Sequence, residues 1–138
     1  QLEAGFRWLK KNVKSDFVVN IDSDTVAHID RLYTMLKSYE DLAKNLANDF
    51  FLCDRLEHSP VIRDERSPWY VSYSDYAPSL FPQYCSGTGY AMMRRTFDKV
   101  VDHMCNFKVF EVEDAFFTGV VTEDLNALIV PGAVASKY

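Results

Sequence analysis

The sequence predicts an α/β domain, a sheet flanked by helices, and three observations carry that prediction. Apolar residues at helical spacing alternate along the chain with short runs rich in β-branched and aromatic residues. Polar connections with Pro-bounded turns separate some of these segments. The first β-branched run, in Asp16-Phe17-Val18-Val19-Asn20-Ile21-Asp22-Ser23-Asp24, ends in two aspartates one residue apart. In open α/β sheets that position, just past the carboxyl end of a strand, is where ligands bind.

The elements follow in order. Leu2, Phe6, Leu9 and Val13 mark an amphipathic helix over residues 2–14, which runs into a buried strand over 16–22. Ile29, Leu32, Tyr33, Leu36 and Tyr39 mark a second helix, continuing to Leu46, and Asp49 to Leu56 is a second strand. Glu57 to Ser67 is a polar connection with turns at Ser59-Pro60 and Ser67-Pro68, and Trp69 to Tyr73 is a short extended segment. Prolines, aromatics and two glycines make residues 75–90 a structured loop, in which Gly87 and Gly89 would let backbone approach a ligand. A helix is expected from Arg94 to Met104 and a short strand over Phe107–Phe110. A further helix, carrying Glu113-Asp114, Phe117, Val120, Val121 and Leu125, and a last strand from Asn126 to Pro131 close the chain.

Composition narrows the function. The 138 residues are 48% hydrophobic and 14% aromatic, enough for one domain with its own core. Fifteen basic against twenty acidic residues give a net charge of −5, and the only basic clusters are Lys10-Lys11 and Arg94-Arg95. A nucleic-acid polymer is therefore not an expected partner. No apolar run approaches the ~18 residues of a membrane span. Gln1 makes no natural start, so the chain reads as excised from something longer. Cys53, Cys85 and Cys105 fit neither a metal spacing nor a fully paired set; one disulfide plus a free thiol, or a bond to a partner, stays open.

Asp22 and Asp24, at i and i+2 across a strand-to-turn transition, can converge on one hard cation held against a phosphate. A solvated turn with Asp24 as a helix N-cap fits the same residues. The acidic pair Glu113-Asp114 also suits a first helical turn for electrostatic reasons alone.

Three islands in one order go further: the strand ending in Asp22-Ser23-Asp24, then Trp69-Tyr70-Val71-Ser72 with Phe81-Pro82-Gln83-Tyr84-Cys85-Ser86-Gly87-Thr88-Gly89-Tyr90, then Glu113-Asp114 with Gly119. Together with Gly5-Phe6-Arg7-Trp8 and Ile62-Arg63-Asp64 they resemble the β-1,3-galactosyltransferases of glycosyltransferase family 31, from the first helix to about Gly119. The resemblance implies a GT-A fold, a Rossmann-like mixed sheet flanked by helices, here truncated at both ends. It implies an inverting hexosyltransferase that moves a sugar, galactose first, from a UDP-sugar to a glycan, glycoprotein or glycolipid acceptor in a β-1,3 linkage. Manganese or magnesium would be the cofactor. The location would be the Golgi lumen, with membrane attachment only through an anchor outside this chain.

Carried onto matching positions, Asp24 is the direct metal ligand and Asp22 helps hold metal and nucleotide sugar. Asp114 is the catalytic base. Gly87 and Gly89 bind the donor, while Trp69, Tyr70 and Glu113 line the cleft for substrate. Ala115-Phe116-Phe117 departs from the family's more usual Val-Tyr, which removes a hydroxyl near the base. His28, His58 and His103 do not obviously supply a further metal ligand. Two rivals share residues with this assignment. Asp22-Ser23-Asp24-Thr25-Val26 also fits the nucleophile motif of haloacid-dehalogenase-like phosphatases. A catalytically degenerate, glycan-binding transferase-like domain is the non-enzymatic alternative.

Overall fold

The computed structural model describes residues 2–46 and 49–137. Four strands form a mixed sheet: β1 (Phe17–Ile21), β4 (Tyr84–Met93), β3 (Phe50–Leu56) and β5 (Leu128–Pro131), in that spatial order. β4 runs antiparallel to both β1 and β3, and β5 runs parallel to β3. A second, two-stranded ribbon joins β2 (Thr25–Val26) to β6 (Ser136–Lys137).

Strand alternation divides the core in two. Phe51 and Cys53 of β3, with Tyr90 and Met92 of β4, face α1 (Leu2–Asn12), α3 (Arg94–His103) and a helical run over 113–123. Phe50 and Leu52 point the other way with Ala91 and Met93, toward Leu32, Leu36 and Ala43 of α2 (Ile29–Leu46). Helices thus cover both faces of the sheet. Phe6, the buried residue of α1, packs its ring against Phe97 at 5.4 Å and Phe117 at 4.5 Å. Arg94 fastens the end of α1 to α3, donating to the carbonyls of Lys10 and Val13 and pairing with Asp98. Asp49 is buried at the start of β3, where Thr96 Oγ1 donates to it at 3.0 Å and Lys99 Nζ lies at 2.5 Å. The first turn of α3 is fixed to the sheet in this way.

Three expectations need correction. Residues 84–90 are not a loop: Tyr84 begins the longest strand, and Gly87 and Gly89 lie within it. Its pairing with β3 shifts register between Cys53 and Arg55, so β4 bulges where the glycines are. The expected strand over Phe107–Phe110 is not formed; that segment is irregular, and Phe110 is buried against the rings of Phe81, Tyr76 and Phe116. A β-prone run without a neighbouring strand gains more from ring packing than from an unpaired edge. The expected helix after Glu111 is helical but not uniform: α-helical Glu113–Ala115, π-helical Phe116–Val120, then α-helical Val121–Glu123. π-turns of this kind occur often at functional sites.

Among the cysteines, Cys53 and Cys85 form a disulfide and Cys105 is free and exposed. The bond joins β3 to β4 beside the register shift, with both residues fully buried. No described helix is long and apolar enough to cross a membrane.

Candidate functional site

β1 delivers the first acidic residue. Its last pair in the ladder is Ile21 with Gly89, and the Asp22 N–H donates to the Thr88 carbonyl at 3.4 Å. The chain then turns sharply: the Thr25 N–H (3.2 Å) and Thr25 Oγ1 (2.6 Å) both donate to the Asp22 carbonyl. Thr25 enters β2, so the β2–β6 ribbon anchors the far side of the turn. Backbone bonds therefore fix this turn. The carboxylates of Asp22 and Asp24 are exposed, and among the described residues neither has a hydrogen-bonded or ion-pair partner.

The π-bulged segment delivers the second. Asp114 is half-buried, and its Oδ1 accepts a hydrogen bond from the Ala115 N–H at 2.9 Å. Burial pushes its pKa above the ordinary carboxylate value; the N–H groups of Ala115, Asp114 and Gly87 pull it back down, and the charge of Asp22 raises it again. Behind it, Thr118 Oγ1 donates to the Asp114 carbonyl at 2.6 Å and accepts from the Cys85 N–H at 2.9 Å. One hydroxyl thus couples the acidic turn to the start of β4. Gly87 gives the carboxylate room: a Cβ there would stand 3.3 Å from Asp114 Oδ2, a tight contact. The bulge in β4 and the missing side chain together let the Asp114 carboxylate lie against the strand.

These pieces enclose an open cleft of about 350 Å³. Asp22, Trp69, Gly87, Glu113 and Asp114 all line it, five predicted residues from four separate stretches of chain. Trp69 is 64% exposed, so its ring belongs to the cleft wall and not to the core. Its loop is held by Arg63, whose guanidinium donates to the carbonyls of Val71 (2.7 Å), Tyr76 (2.8 Å) and Pro78 (2.7 Å). The same guanidinium stacks on Tyr73 at 4.1 Å.

Asp24, Tyr70 and Gly89 are not among the residues lining this cleft. Asp24 lies on the exposed turn beyond Asp22, and Tyr70 makes an isolated bridge with Ile62. Gly89 is buried, and a Cβ there would meet Ile21 Cγ2 at 3.2 Å and Ala135 Cβ at 3.3 Å. Its lack of a side chain thus lets the chain around residue 135 close over the end of β1 and the middle of β4.

Sequence reasoning missed Asn20 and Tyr90, which also line the cleft and face each other across the β1–β4 ladder. The strand alternation of β4 would have paired them, had residues 84–90 been read as a strand.

The donor set suits a hard divalent cation in chemistry. Two carboxylates without an ion-pair partner among the described residues, beside a ligand-sized cleft, match how magnesium-type ions bind through one or two carboxylates plus substrate phosphates. Among the described residues no group of three or more His, Cys, Asp or Glu side chains gathers into an all-protein cage. Asp22 and Asp24 would hold such an ion together with the ligand.

Known proteins are similar to this chain in sequence. The galactosyltransferase family model matches residues 3–131. Beta-1,3-galactosyltransferase 5 of Homo sapiens is 31% identical over 123 residues, 88% of this chain and 38% of the relative. Beta-1,3-galactosyltransferase 1 of Mus musculus is 27% identical over 114 residues, 81% of this chain and 33% of the relative. The chain spans less than two fifths of the length of these curated relatives.

Proposed function

Because the chain belongs to the galactosyltransferase family, we propose that it forms the metal-binding and catalytic part of a GT-A-type transferase. The reaction moves galactose from UDP-galactose to a glycan hydroxyl in a β-1,3 linkage, with inversion. The observation that carries this is the cleft itself, which Asp22 and Asp114 line together. Family membership also favours the transferase over the phosphatase use of Asp22-Ser23-Asp24. The buried Cys53–Cys85 bond agrees with an oxidising compartment such as the Golgi lumen.

The chemistry assigns a task to each residue. Asp22 and Asp24 would hold manganese or magnesium, which would supply Lewis-acid stabilisation of negative charge on the leaving UDP. Asp114 accepts the proton of the acceptor hydroxyl as its oxygen bonds to the anomeric carbon. The bond from that carbon to the phosphate oxygen breaks, and its electron pair leaves with UDP. One base on the face opposite the leaving group gives inversion without a covalent intermediate. The Trp69 ring offers a flat apolar surface to a sugar face, and Glu113 is an acceptor for sugar hydroxyls.

Two results are expected. Calorimetric titration of UDP into the purified protein should give binding with manganese, none with EDTA, and none in Asp24→Ala with manganese. UDP binding that ignores both the metal and the substitution would remove Asp22-Ser23-Asp24 from the site. Second, Gly87→Ala should force the Asp114 carboxylate to shift by a few tenths of an ångström, since the new methyl would stand 3.3 Å from Oδ2. Displacing a catalytic group on this scale should lower kcat by about tenfold or more. Equal kcat in the variant would show that the close approach of strand and carboxylate has no role in turnover.

A further inference from the structure

Tyr90 buries a hydroxyl that nothing among the described residues satisfies. The residue is 1% exposed, its ring stacked on Phe117 and edge-on to Phe51, and its hydroxyl makes no hydrogen bond among the described residues. A buried polar group left unpaired costs about 1–3 kcal/mol. Phenylalanine would keep both ring contacts without that cost, so packing does not account for the hydroxyl.

Its surroundings suggest what does. Tyr90 lines the cleft together with Asp22, Glu113 and Asp114, and it sits opposite Asn20, two residues before Asp22. The ring on which it stacks, Phe117, belongs to the segment that carries Asp114. Of the three carboxylates whose charge it feels, Asp114 acts most strongly, then Glu113, then Asp22. The phenol therefore lies on the base's side of the cleft, recessed in its floor, an uncharged donor among acceptors. A polyol seated between them satisfies both kinds of group, because each sugar hydroxyl accepts one hydrogen bond and donates another.

We propose that the Tyr90 hydroxyl binds the acceptor sugar, hydrogen-bonding a hydroxyl next to the one that attacks and so turning the attacking oxygen toward Asp114. This rests on the transferase function proposed above and adds a residue that selects the acceptor. Depth supplies the selectivity: only an acceptor presenting a hydroxyl at the floor of the cleft satisfies the phenol, and one lacking it leaves a buried donor unpaired.

Tyr90→Phe tests this, since it removes one oxygen and keeps the ring. UDP-galactose would be offered with a panel of methyl hexosides and N-acetylhexosaminides, followed by mono-deoxy forms of the best acceptor. The parent should discriminate against one deoxy acceptor by about tenfold to a hundredfold in kcat/KM, and Tyr90→Phe should use that analogue and the full acceptor equally well. The Michaelis constant for UDP-galactose should stay the same, and the melting temperature without substrate should stay the same or rise. A purely structural role would lower the melting temperature instead. Unchanged acceptor kinetics in Tyr90→Phe, a loss shared by every deoxy acceptor, or a loss confined to UDP-galactose would each overturn the assignment while the transferase function stands. A parent that transfers sugar to no member of the panel, although it binds UDP, would overturn both.

Discussion

Asp114→Asn should abolish transfer, lowering kcat by about a hundredfold to ten-thousandfold, while metal-dependent UDP binding stays at the parent level. The amide keeps the shape of the side chain and can still accept the Ala115 N–H hydrogen bond, but it cannot take a proton from the acceptor. Loss of UDP binding in a folded Asp114→Asn protein would contradict the separation of donor and base roles. The pH dependence adds a second readout. Burial, the leading influence, holds the folded-state pKa of Asp114 above its ordinary value. The base acts only when ionised, so the acid limb of kcat/KM should lie above the ordinary value of a free aspartate and vanish with Asp114→Asn. The same shift bears on stability. A carboxyl with a raised folded pKa contributes stability below its unfolded pKa of about 3.9, and that contribution is lost as pH rises through the folded value. Asp114→Asn should therefore melt no lower than the parent at about pH 7.5, with any advantage shrinking toward about pH 4. An acid limb that persists in residual Asp114→Asn activity would identify another group as the base.

Breaking the disulfide should give the largest loss of stability. Cys53 and Cys85 are 32 residues apart in sequence, and closing a loop of that size is worth roughly 3–4 kcal/mol by chain entropy. Against a typical total of about 5–15 kcal/mol that is a large fraction. Cys53→Ala, Cys85→Ala and the double variant should each lose about 10 °C or more in melting temperature. The double variant should lose little more than the worse single one, because either substitution removes the whole bond. Thiol reduction of the parent should have the same effect. A parent that melts at the same temperature with and without reductant would show that this bond does not hold β3 to β4.

How far the sequence was legible depended on how local each signal was. The helices at Leu2–Asn12, Ile29–Leu46 and Arg94–His103 were legible because apolar spacing is a property of neighbouring residues. β4 was not, because Gly87 and Gly89 signal a loop by composition, and only pairing with β1 and β3 makes them part of a strand. The segment Phe107–Phe110 failed in the opposite direction: its composition suits a strand, and no partner strand lies beside it. The π-turn at Phe116–Val120 has no periodic signature to read. In the site, the two aspartates ending β1 stood out from the residues alone, whereas the role of Asp114 came through family resemblance. The cleft then gathered Asp22, Trp69, Gly87, Glu113 and Asp114, while Asp24, Tyr70 and Gly89 fell outside its lining. Tyr90 was hidden because an orphaned hydroxyl is a fact of packing, invisible until Phe51 and Phe117 close around it.

β4 occupies an interior position in the sheet although it is the fourth strand in the chain, and it pairs residue 93 with residue 17. During synthesis, β1 and β3 emerge without the strand that must lie between them, and no local contact can stand in for it. Loop closure over such a distance is entropically costly before any pairing rewards it, so folding should be slow for a chain of this length. Until β4 arrives, two apolar strand edges remain open to other chains, the condition under which aggregation competes with folding. The strand that lines the cleft with Gly87 and Tyr90 is then also the kinetic bottleneck of the fold, and variation in it would show first as a poor yield of folded protein, before any defect in chemistry could be measured.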